Sequence, residues 1–343
     1  MRILVTGGAG FIGSHYTRSL LAGAYADASA GAEHADVTVL DKLTYAGNTA
    51  SLPMGHDRLT FVRGDVCDLP LLLEVLPGHD AVVHFAAESH VDRSVDSGAD
   101  FVRTNALGTQ TLLEAALRTG VERLVHVSTD EVYGSIEEGS WTEEWPLLPN
   151  SPYAASKASS DLIARSYWRT HGLDVSITRC SNNYGPYQHP EKLIPRFVTN
   201  LLEGTPVPVY GRGRNMREWL HVDDHCRALH LVLTKGRAGE VYNVGSGNEM
   251  PNIELVGQLL ELCGADTSMI RYVTDRKGHD LRYSLDDRKI REELGYAPRT
   301  PFEEGLRTTV EWYRDNPGWW KPSKHPEARE APEVPGARPA PAV

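Results

Sequence analysis

The chain opens with a short apolar run, a glycine-rich loop and an amphipathic stretch, in that order. Ile3–Thr6 leads into Gly7, Gly10 and Gly13, and Ile12–Ala22 has apolar residues at helical spacing. A loop without side chains lets the backbone approach a pyrophosphate, and the free N–H groups of a helix N-terminus favour that anion. Glycine spacing alone is weak evidence, but in this context it predicts a dinucleotide site. A tight turn without a ligand is the alternative.

Further apolar runs alternate with helical patterns along the chain. Because these runs are almost wholly apolar, they are typical of strands covered on both faces. Their order predicts an α/β fold, in which a doubly wound parallel (Rossmann) sheet carries a smaller, interleaved C-terminal lobe. The predicted strands are Ile3–Thr6, Val37–Leu40, Leu59–Val62, Ala81–Phe85, Leu124–Ser128, Val175–Thr178 and Val241–Val244. The predicted helices are Ile12–Ala22, Leu69–Leu76, Phe101–Thr119, Ala154–Thr170, Ile253–Cys263 and Phe302–Tyr313.

An acidic residue ends the second predicted strand. Asp41 can accept hydrogen bonds from an adenosine ribose and would repel a 2′-phosphate, which favours NAD over NADP. The neighbouring Lys42 weakens that preference. Asp65, after the third strand, either meets the adenine or serves as a turn or helix-cap residue, and both interpretations stay open. The small residues after Phe85 leave room for a cofactor.

Length and composition predict two domains. The chain has 343 residues, which corresponds to roughly two domains. Residues 1–181, joined in part by 215–254, are predicted to form an NAD-binding Rossmann domain, and 182–320 form mainly a second ligand-binding lobe. The Ala- and Gly-rich segment Gly23–Asp36 is predicted to be a surface loop. Residues 321–343 contain six prolines and are predicted to be a disordered tail.

Charge and cysteine content exclude several functions. With 46 acidic and 35 basic side chains the formal charge is −11, which argues against nucleic acid or an anionic membrane as a partner. The four cysteines form no CxxC pair, which argues against a zinc ribbon or a disulfide framework and fits a reducing compartment. There is no apolar run long enough for a membrane helix. A cytoplasmic location is therefore expected.

Tyr153 and Lys157 lie four residues apart in a predicted helix. This spacing places both on one face, where a lysine ammonium would lower the pKa of the phenol. Tyr153 is then a candidate base for a hydroxyl proton. Such a pair is common by chance, and a solvated amphipathic face is the alternative. The upstream dinucleotide loop favours the catalytic interpretation.

Two adjacent carboxylates follow the fifth strand in the run Ser128, Thr129, Asp130, Glu131. Adjacent strand residues point to opposite faces, so both can reach one substrate only if the strand breaks near Asp130. Gly134 permits such a break. Two carboxyls in a dry site tend to have separated pKa values, one suited to an acid and one to a base. A solvated loop carrying two charges is the alternative.

Three other features have simpler explanations. His221 and His225 have metal-ligand spacing, but no third ligand motif stands nearby, so no metal is expected and Asp223 is predicted to be a helix cap. Cys180 is predicted to be a buried, inert thiol. The Trp319-Trp320 pair is predicted to pack the C-terminus against the body.

These motifs together resemble the extended short-chain dehydrogenases/reductases, and among them the 4,6-dehydratases of nucleotide sugars. The resemblance runs from Met1 to about Trp320. The runs that carry it are GGAGFIGS, DKLTYAGN, HFAAESHVDRS, STDEVYGS, NSPYAASKASSD, NNYGPYQHPEKLIP, REWLHVDDH and DRKGHDLRYSLD. The threonine-aspartate-glutamate run is the feature that separates these dehydratases from the related sugar-nucleotide epimerases.

The resemblance implies a role for each catalytic position. Tyr153 would be the active-site base, and Lys157 its electrostatic partner and a contact of the nicotinamide ribose. Thr129 would bond the 4-oxygen of the sugar. Asp130 would protonate the departing 6-hydroxyl, and Glu131 would remove the proton from C5. The expected reaction is NAD-dependent conversion of dTDP-glucose to dTDP-4-keto-6-deoxyglucose, with tightly bound NAD regenerated in each turnover.

Contact residues follow from the glycine loop and from the same resemblance. The expected cofactor contacts are Gly7, Gly10, Phe11, Ile12, Gly13, Asp41, Lys42, Leu43, Thr44, Asp65, Val66, Phe85, Ala86, Ala87, Glu88, Thr104, Tyr153, Lys157 and Asn183. The expected substrate contacts are Ser89, Thr129, Asn182, Lys192, Leu193, Pro208, Val209, Tyr210, Arg217, Asn252, Arg276 and His279. The basic members of the second set suit a nucleoside diphosphate in an acidic protein; exposed loop cations are the alternative.

The resemblance also implies a homodimer through the helices Phe101–Thr119 and Ala154–Thr170. Three alternative functions remain open at this point. They are a dehydratase of another nucleotide sugar, a sugar-nucleotide 4-epimerase, and a non-catalytic dinucleotide-binding regulator.

Overall fold

The computed structural model describes residues 1–26 and 34–325. Its centre is a seven-stranded parallel sheet with the strand order β10-β6-β5-β4-β1-β2-β3, which confirms the predicted doubly wound fold. These strands are β1 (Arg2–Thr6), β2 (Asp36–Asp41), β3 (Leu59–Arg63), β4 (Ala81–His84), β5 (Arg123–Thr129), β6 (Val175–Cys180) and β10 (Val241–Val244).

Helices cover both faces of this sheet and build the second lobe. They are α1 (Phe11–Leu21), α2 (Leu69–Val75), α3 (Val91–Asp96), α4 (Ala99–Phe101), α5 (Gly108–Thr119), α6 (Pro152–His171), α7 (Leu193–Leu202), α8 (Val222–Lys235), α9 (Asn252–Cys263), α10 (Arg288–Leu294), α11 (Phe302–Asp315) and α12 (Pro317–Lys324). None of the helices in the described ranges combines the length and apolar character needed to cross a bilayer.

The apolar strands are buried because each face of the sheet carries its own core. Every residue of β4 and β6 is buried. One apolar cluster packs α1 and α8 against the sheet, and a second packs α2, α5 and α6 against the opposite face. Removal of this apolar surface from water is the main stabilising contribution. The carboxyl ends of the parallel strands therefore meet at one rigid edge.

The second lobe has a separate core between α7, α9 and α11. Its short strands are β7 (Asn182–Tyr184), β8 (Val207–Tyr210), β9 (Met216–His221), β11 (Glu249–Pro251) and β12 (Ile270–Val273). They form one three-stranded and one two-stranded sheet. The chain returns to the main sheet through α8 and β10, as predicted for Val241–Val244, since β10 pairs in parallel with β6.

The structure corrects two of the predicted segments. The single helix predicted over Phe101–Thr119 is interrupted by a π-helical turn at Val102–Leu107. The prediction that the chain is disordered from Lys321 onward is wrong for its first four residues, because α12 continues to Lys324. Residues 27–33 of the predicted surface loop and 326–343 of the predicted tail lie outside the described residues.

Candidate active site

The glycine loop forms a tight cradle at the N-terminus of α1. Gly7 has a φ of 68°, and a Cβ added there would lie 2.6 Å from the Ala86 nitrogen. A Cβ on Gly13 would lie 2.5 Å from the Gly7 carbonyl oxygen. Only glycine fits these two positions without displacing backbone. The N–H groups at the start of α1 therefore face a space that no side chain of the loop fills.

Asp41 closes the adjacent side of this space. Its carboxylate accepts hydrogen bonds from the backbone N–H of Ala9 at 2.9 Å and of Leu43 at 2.8 Å. Burial raises the pKa of the Asp41 carboxyl, and the two N–H donors oppose that shift. Asp41 thus ties the glycine loop to the end of β2 and presents a carboxylate at the predicted ribose position.

Lys42 is paired with Asp65, with 2.7 Å between the ammonium nitrogen and a carboxylate oxygen. Asp65 also accepts a hydrogen bond from the backbone N–H of Cys67 at 3.0 Å, so it serves as a turn residue, one of its two predicted roles. The cap of α2 is Asp68, whose side chain accepts from the Leu71 N–H. Because Asp65 engages Lys42, this lysine is a poor partner for a 2′-phosphate, and the preference for NAD is strengthened.

The strand break predicted before Asp130 is present. β5 ends at Thr129, and Asp130–Tyr133 forms a 3₁₀ turn. Gly134 ends that turn with a φ of 92°, and a Cβ there would lie 2.4 Å from the Leu148 carbonyl oxygen. Both carboxylates consequently line the same cavity.

Asp130 is 2% exposed. One of its carboxyl oxygens accepts from the Thr129 hydroxyl at 3.1 Å. The other oxygen is buried and has no hydrogen-bond partner among the described residues. Burial, and then the nearby Glu131 and Glu218, raise the pKa of Asp130 well above its ordinary value. Asp130 is therefore suited to hold a proton that it can donate.

Glu131 has a different electrostatic environment from its neighbour. Burial raises its pKa, but the positive charges of Arg276, Arg217 and Lys192 oppose that shift. Near Asp130, the positive charge of Arg217 opposes the rise in pKa, and its effect is smaller than that of burial. Burial thus raises the pKa of both adjacent carboxyls, and three basic side chains oppose that rise at Glu131.

Tyr153 and Lys157 lie in the first turns of α6. The Ser151 side chain caps this helix by accepting from the Ala154 N–H at 3.1 Å, so the helix begins two residues before the predicted start. Burial lowers the pKa of Lys157 to about 8. Its ammonium group donates to the Val127 carbonyl oxygen at 2.7 Å.

The predicted lowering of the Tyr153 pKa is wrong for the protein alone. Burial, followed by the charge of Glu131, raises the pKa of this phenol well above its ordinary value. The sequence spacing places Tyr153 and Lys157 on one helix face but does not show the surrounding carboxylates. Stabilising the phenolate requires positive charge close to the phenol oxygen.

The first cavity of the cleft collects the predicted cofactor residues. Apart from Leu43, all of them line it, together with the catalytic positions Thr129, Asp130 and Glu131. Leu43 contributes its backbone N–H to Asp41 instead. Tyr153, Lys157 and the glycine loop therefore border one continuous space.

The second cavity collects the predicted substrate residues. Every one of them except Thr129 lines it, and Thr129 lines the first cavity. The two cavities share five lining residues, namely Ser89, Glu131, Asn182, Glu191 and Lys192. They therefore adjoin, and Glu131 lies where they meet, whereas Asp130 lines the first cavity alone.

The basic residues are anchored and do not lie on open loops. The Arg217 guanidinium donates to the Asp280 carbonyl oxygen at 3.0 Å, and this arginine is 4% exposed. Lys192 donates to the Ser89 carbonyl oxygen at 2.5 Å. Arg276 forms an ion pair with Asp92 at 3.4 Å. These positions exclude the alternative of freely exposed loop cations.

The sequence analysis missed several residues of the cleft. Gln188, His189 and Glu191 line the first cavity, and Asp92 and Tyr283 line the second. His189 and Glu191 belong to the run NNYGPYQHPEKLIP. Their closeness in sequence to Lys192, a predicted substrate contact, could have indicated that they line the cleft. Asp92 and Tyr283 belong to the runs HFAAESHVDRS and DRKGHDLRYSLD, but their spacing does not show that tertiary packing brings them to the cleft.

The remaining candidates have structural roles. His221 caps α8 by accepting from the Asp223 N–H at 3.3 Å, so the prediction that Asp223 is the cap is wrong. His225 contacts the Asn183 side chain at 2.8 Å. Across the described part of the chain, no group of residues is arranged to hold a metal ion. Burial raises the pKa of the Cys180 thiol, as expected for an inert cysteine.

Comparison with known proteins agrees with this geometry. The model of the family GDP-mannose 4,6 dehydratase matches residues 4–309. The dTDP-glucose 4,6-dehydratase of Streptomyces niveus is 62% identical over 338 residues, which cover 98% of this chain and 99% of that protein.

Two solved structures have the same fold. DesIV, a dTDP-glucose 4,6-dehydratase from Streptomyces venezuelae with NAD and dTDP bound, is 64% identical with a TM-score of 0.92, covering 94% of this chain and 100% of that chain. The dTDP-glucose 4,6-dehydratase from Bacillus anthracis in complex with NAD is 48% identical with a TM-score of 0.86, covering 94% of this chain and 99% of that chain.

Proposed function

The chain belongs to the GDP-mannose 4,6-dehydratase family, within the extended short-chain dehydrogenases/reductases, and from that premise we propose that it converts dTDP-glucose to dTDP-4-keto-6-deoxyglucose with NAD. It is an enzyme of the hydro-lyase class. Its relatives at 62% and 64% identity carry this activity in their names, and DesIV holds NAD and dTDP.

The residues of the first cavity fit NAD. The side-chain-free cradle at Gly7 and Gly13 suits a pyrophosphate at the N-terminus of α1, and Asp41 suits the adenosine ribose. When bound, NAD supplies the redox chemistry by accepting a hydride from C4 of the sugar and returning it to C6. Lys157 would hold the nicotinamide ribose, next to Tyr153.

Oxidation at C4 comes first because it makes the next bond easier to break. The 6-hydroxyl is a poor leaving group, and a ketone at C4 acidifies the C5 proton by allowing an enolate. Tyr153 removes the proton of the 4-hydroxyl as C4 is oxidised, and Thr129 bonds the same oxygen. Because burial raises the pKa of Tyr153, its phenolate depends on the positive charge of Lys157 and of the oxidised nicotinamide.

Elimination then uses the two adjacent carboxyls. Glu131 removes the C5 proton, and the C5–H electron pair forms the C5–C6 double bond as the C6–O bond breaks. Asp130 donates its proton to the departing oxygen, which leaves as water. As the double bond is reduced at C6, Glu131 returns its proton to C5. Tyr153 then loses the proton that it took from the 4-hydroxyl, and Asp130 regains one, by exchange with water. Atoms and charge balance as the net loss of one water.

One observation carries this proposal: Asp130 and Glu131 border the same cavity as Tyr153, where burial raises the pKa of both carboxyls. A 4-epimerase has no use for two carboxyls at this position. A non-catalytic regulator has no use for any of these groups, so neither alternative is favoured.

Mass spectrometry after incubation with dTDP-glucose tests the reaction. Loss of one water from the sugar nucleotide is the expected result. An unchanged mass with an altered sugar would indicate epimerisation, and no reaction would contradict the proposal. Parallel incubations with UDP-glucose and GDP-mannose test the thymine preference, which rests on the relatives alone.

The second lobe is proposed to hold the nucleotide part of the substrate. Lys192, Arg217 and Arg276 bring positive charge to the second cavity, where a diphosphate would lie. Under this proposal residues 1–181, with part of 215–254, bind NAD, and 182–320 mainly bind the nucleotide sugar.

We also propose a homodimer. Val102 and Leu107, in the π-helical turn, and Leu162, on α6, are exposed by 57%, 51% and 57%, and these two elements pack against each other. Exposed apolar side chains on adjacent helices are a typical protein–protein surface. A cytoplasmic location is proposed as well, supported by the four free cysteines.

A further inference from the structure

The segment between β7 and α7 forms one wall of the cofactor cavity. Gln188, His189 and Glu191 of this segment line the same space as the glycine loop. The segment contains neither helix nor strand. Its position over the cleft therefore depends on side-chain contacts, which include the pairing of Glu191 with Arg93 at 3.4 Å.

Tyr187 is held by three ring contacts on the side of the segment away from the cavity. Its φ is 68°, a left-handed conformation that is unfavourable for a residue with a Cβ. The surroundings must stabilise it. The Arg18 guanidinium lies 4.0 Å from the centre of the Tyr187 ring, and the Trp312 and Trp319 rings lie at 4.4 Å and 5.4 Å.

The partners of Tyr187 come from both lobes. Arg18 belongs to α1, the helix that follows the glycine loop, and also donates to the Ser51 carbonyl oxygen at 2.5 Å. The indole N–H of Trp319, in α12, donates to the Ser51 hydroxyl at 3.2 Å. The last helices therefore cross from the second lobe to the dinucleotide-binding side.

A second contact from α11 holds the same segment. The Tyr313 hydroxyl donates to the Gln188 carbonyl oxygen. Gln188 in turn donates to the Asn183 carbonyl oxygen at 2.9 Å. Any outward movement of the segment would break these bonds together with the ring contacts of Tyr187.

We propose that Arg18, Tyr187, Trp312 and Trp319 form an aromatic latch that keeps residues 187–191 closed over bound NAD and so limits its dissociation. The inference rests on the proposed function. A cofactor that is reduced and reoxidised within one turnover must stay bound between the two steps, because its loss would strand an oxidised sugar in the site. The four side chains are positioning residues, since none of them lines the cavity.

The test compares NAD retention by the full-length holoenzyme and two Tyr187 variants. Tyr187→Gly removes the ring while suiting the left-handed backbone, and Tyr187→Phe keeps the ring. We expect NAD to dissociate about tenfold faster from Tyr187→Gly and at the wild-type rate from Tyr187→Phe, a difference of about 1.4 kcal/mol. Dissociation is followed by exchange of bound NAD for labelled NAD.

A second pair of variants addresses the C-terminal helix. Trp319→Ala should speed NAD dissociation, whereas Trp319→Phe, which keeps an aromatic ring, should dissociate NAD at close to the wild-type rate. Trp145→Ala is the matched control, because that indole is 49% exposed and lines neither cavity. At saturating NAD, turnover of the Tyr187 and Trp319 variants should stay near the wild-type rate, which a general folding defect would not allow.

Unchanged NAD dissociation in both Tyr187→Gly and Trp319→Ala would overturn the latch. Loss of turnover at saturating NAD in these variants, without rescue by Tyr187→Phe, would overturn it too. Failure of the proposed function would look different: the wild-type protein itself would neither hold NAD nor remove water from dTDP-glucose.

Discussion

At the scale of single residues, Asp130 concentrates the chemistry of the cleft. Its second carboxyl oxygen is buried and has no hydrogen-bond partner within the described ranges. Leaving an ionised oxygen in that state is costly, whereas a protonated carboxyl is tolerated. The same burial that disfavours the charge raises the pKa of Asp130 and so suits this carboxyl to carry a proton for donation.

Asp130→Asn should slow elimination far more than oxidation. Asparagine keeps the shape of the side chain but has no acidic proton for the departing 6-oxygen. General acid catalysis typically contributes about 10²- to 10⁴-fold, so we expect a loss of that order in product formation. C4 oxidation should still occur, and NADH should accumulate as an absorbance signal during single turnover.

Glu138→Gln is the control for Asp130→Asn, because it removes an exposed carboxylate on the loop after the 3₁₀ turn. It should leave both steps unchanged. Equal loss of oxidation and elimination in Asp130→Asn would contradict the assigned role.

Lys157 should make stability depend on pH. Burial lowers its pKa from 10.5 to about 8 in the folded protein. Between these values the unfolded chain binds more protons than the folded one, so the free energy of unfolding should rise with pH by about 1.4 kcal/mol per unit from this group. The burial penalty is fully present below pH 8 and is relieved by about pH 10.5.

Denaturant titrations of cofactor-free wild type and Lys157→Met from pH 7 to 10 would measure this effect. Methionine has a similar length and no charge, so the variant should lack that contribution to the rise. Parallel pH curves for the two proteins would refute the assignment.

At the scale of elements, the glycine cradle makes the β1–α1 turn intolerant of side chains. Gly13→Ala would place a methyl group against backbone at 2.5 Å from the Gly7 oxygen. Overpacking of this kind typically costs about 1–3 kcal/mol. We expect NAD affinity to fall roughly tenfold or more, as measured by calorimetric titration of the cofactor-free protein.

Gly257→Ala is the matched control for Gly13→Ala. Gly257 lies within α9, and an added Cβ would meet nothing within 4 Å. Alanine should stabilise that helix by about 0.5–1 kcal/mol without altering NAD affinity. If Gly13→Ala binds NAD with wild-type affinity, the prediction is wrong, because the loop then shifts to accept the methyl group at little cost.

Elements differ in how much of them the sequence could predict. The strands of the main sheet were predicted well because burial on both faces makes them continuously apolar, as in β4 and β6. The strands of the second lobe were missed. β8 has four residues and contains Pro208, which weakens a strand pattern, and β11 has only three residues.

The candidate site shows the same division. The strand break before Asp130 could be predicted from local chemistry, because two adjacent carboxylates and Gly134 are all within a few residues. The raised pKa of Tyr153 could not, because it results from burial and from Glu131, which is distant in sequence. The contact residues of the second cavity came from resemblance, since they lie on separate elements of the second lobe.

At the scale of the whole molecule, the exposed apolar side chains on α6 and the π-helical turn predict self-association. Leu162→Asp should convert a dimer to monomers, because a buried unpaired carboxylate in an interface is costly. Sedimentation velocity of the wild type and the variant measures the change.

Met54→Asp is the control for Leu162→Asp, because Met54 is 51% exposed, against 57% for Leu162, but lies on the connection between β2 and β3. It should leave the sedimentation coefficient unchanged. A wild-type protein that sediments as a monomer at assay concentration would refute the homodimer.

The return of the chain through α8 and β10 has a consequence for dissecting this protein. β10 completes the sheet beside β6, and α8 supplies a large part of the core on one face. A fragment ending at residue 181 would expose a bare hydrogen-bonding edge and an uncovered apolar surface, both of which promote aggregation. Neither lobe can therefore be produced in isolation by a single cut, and the two should unfold together as one cooperative unit.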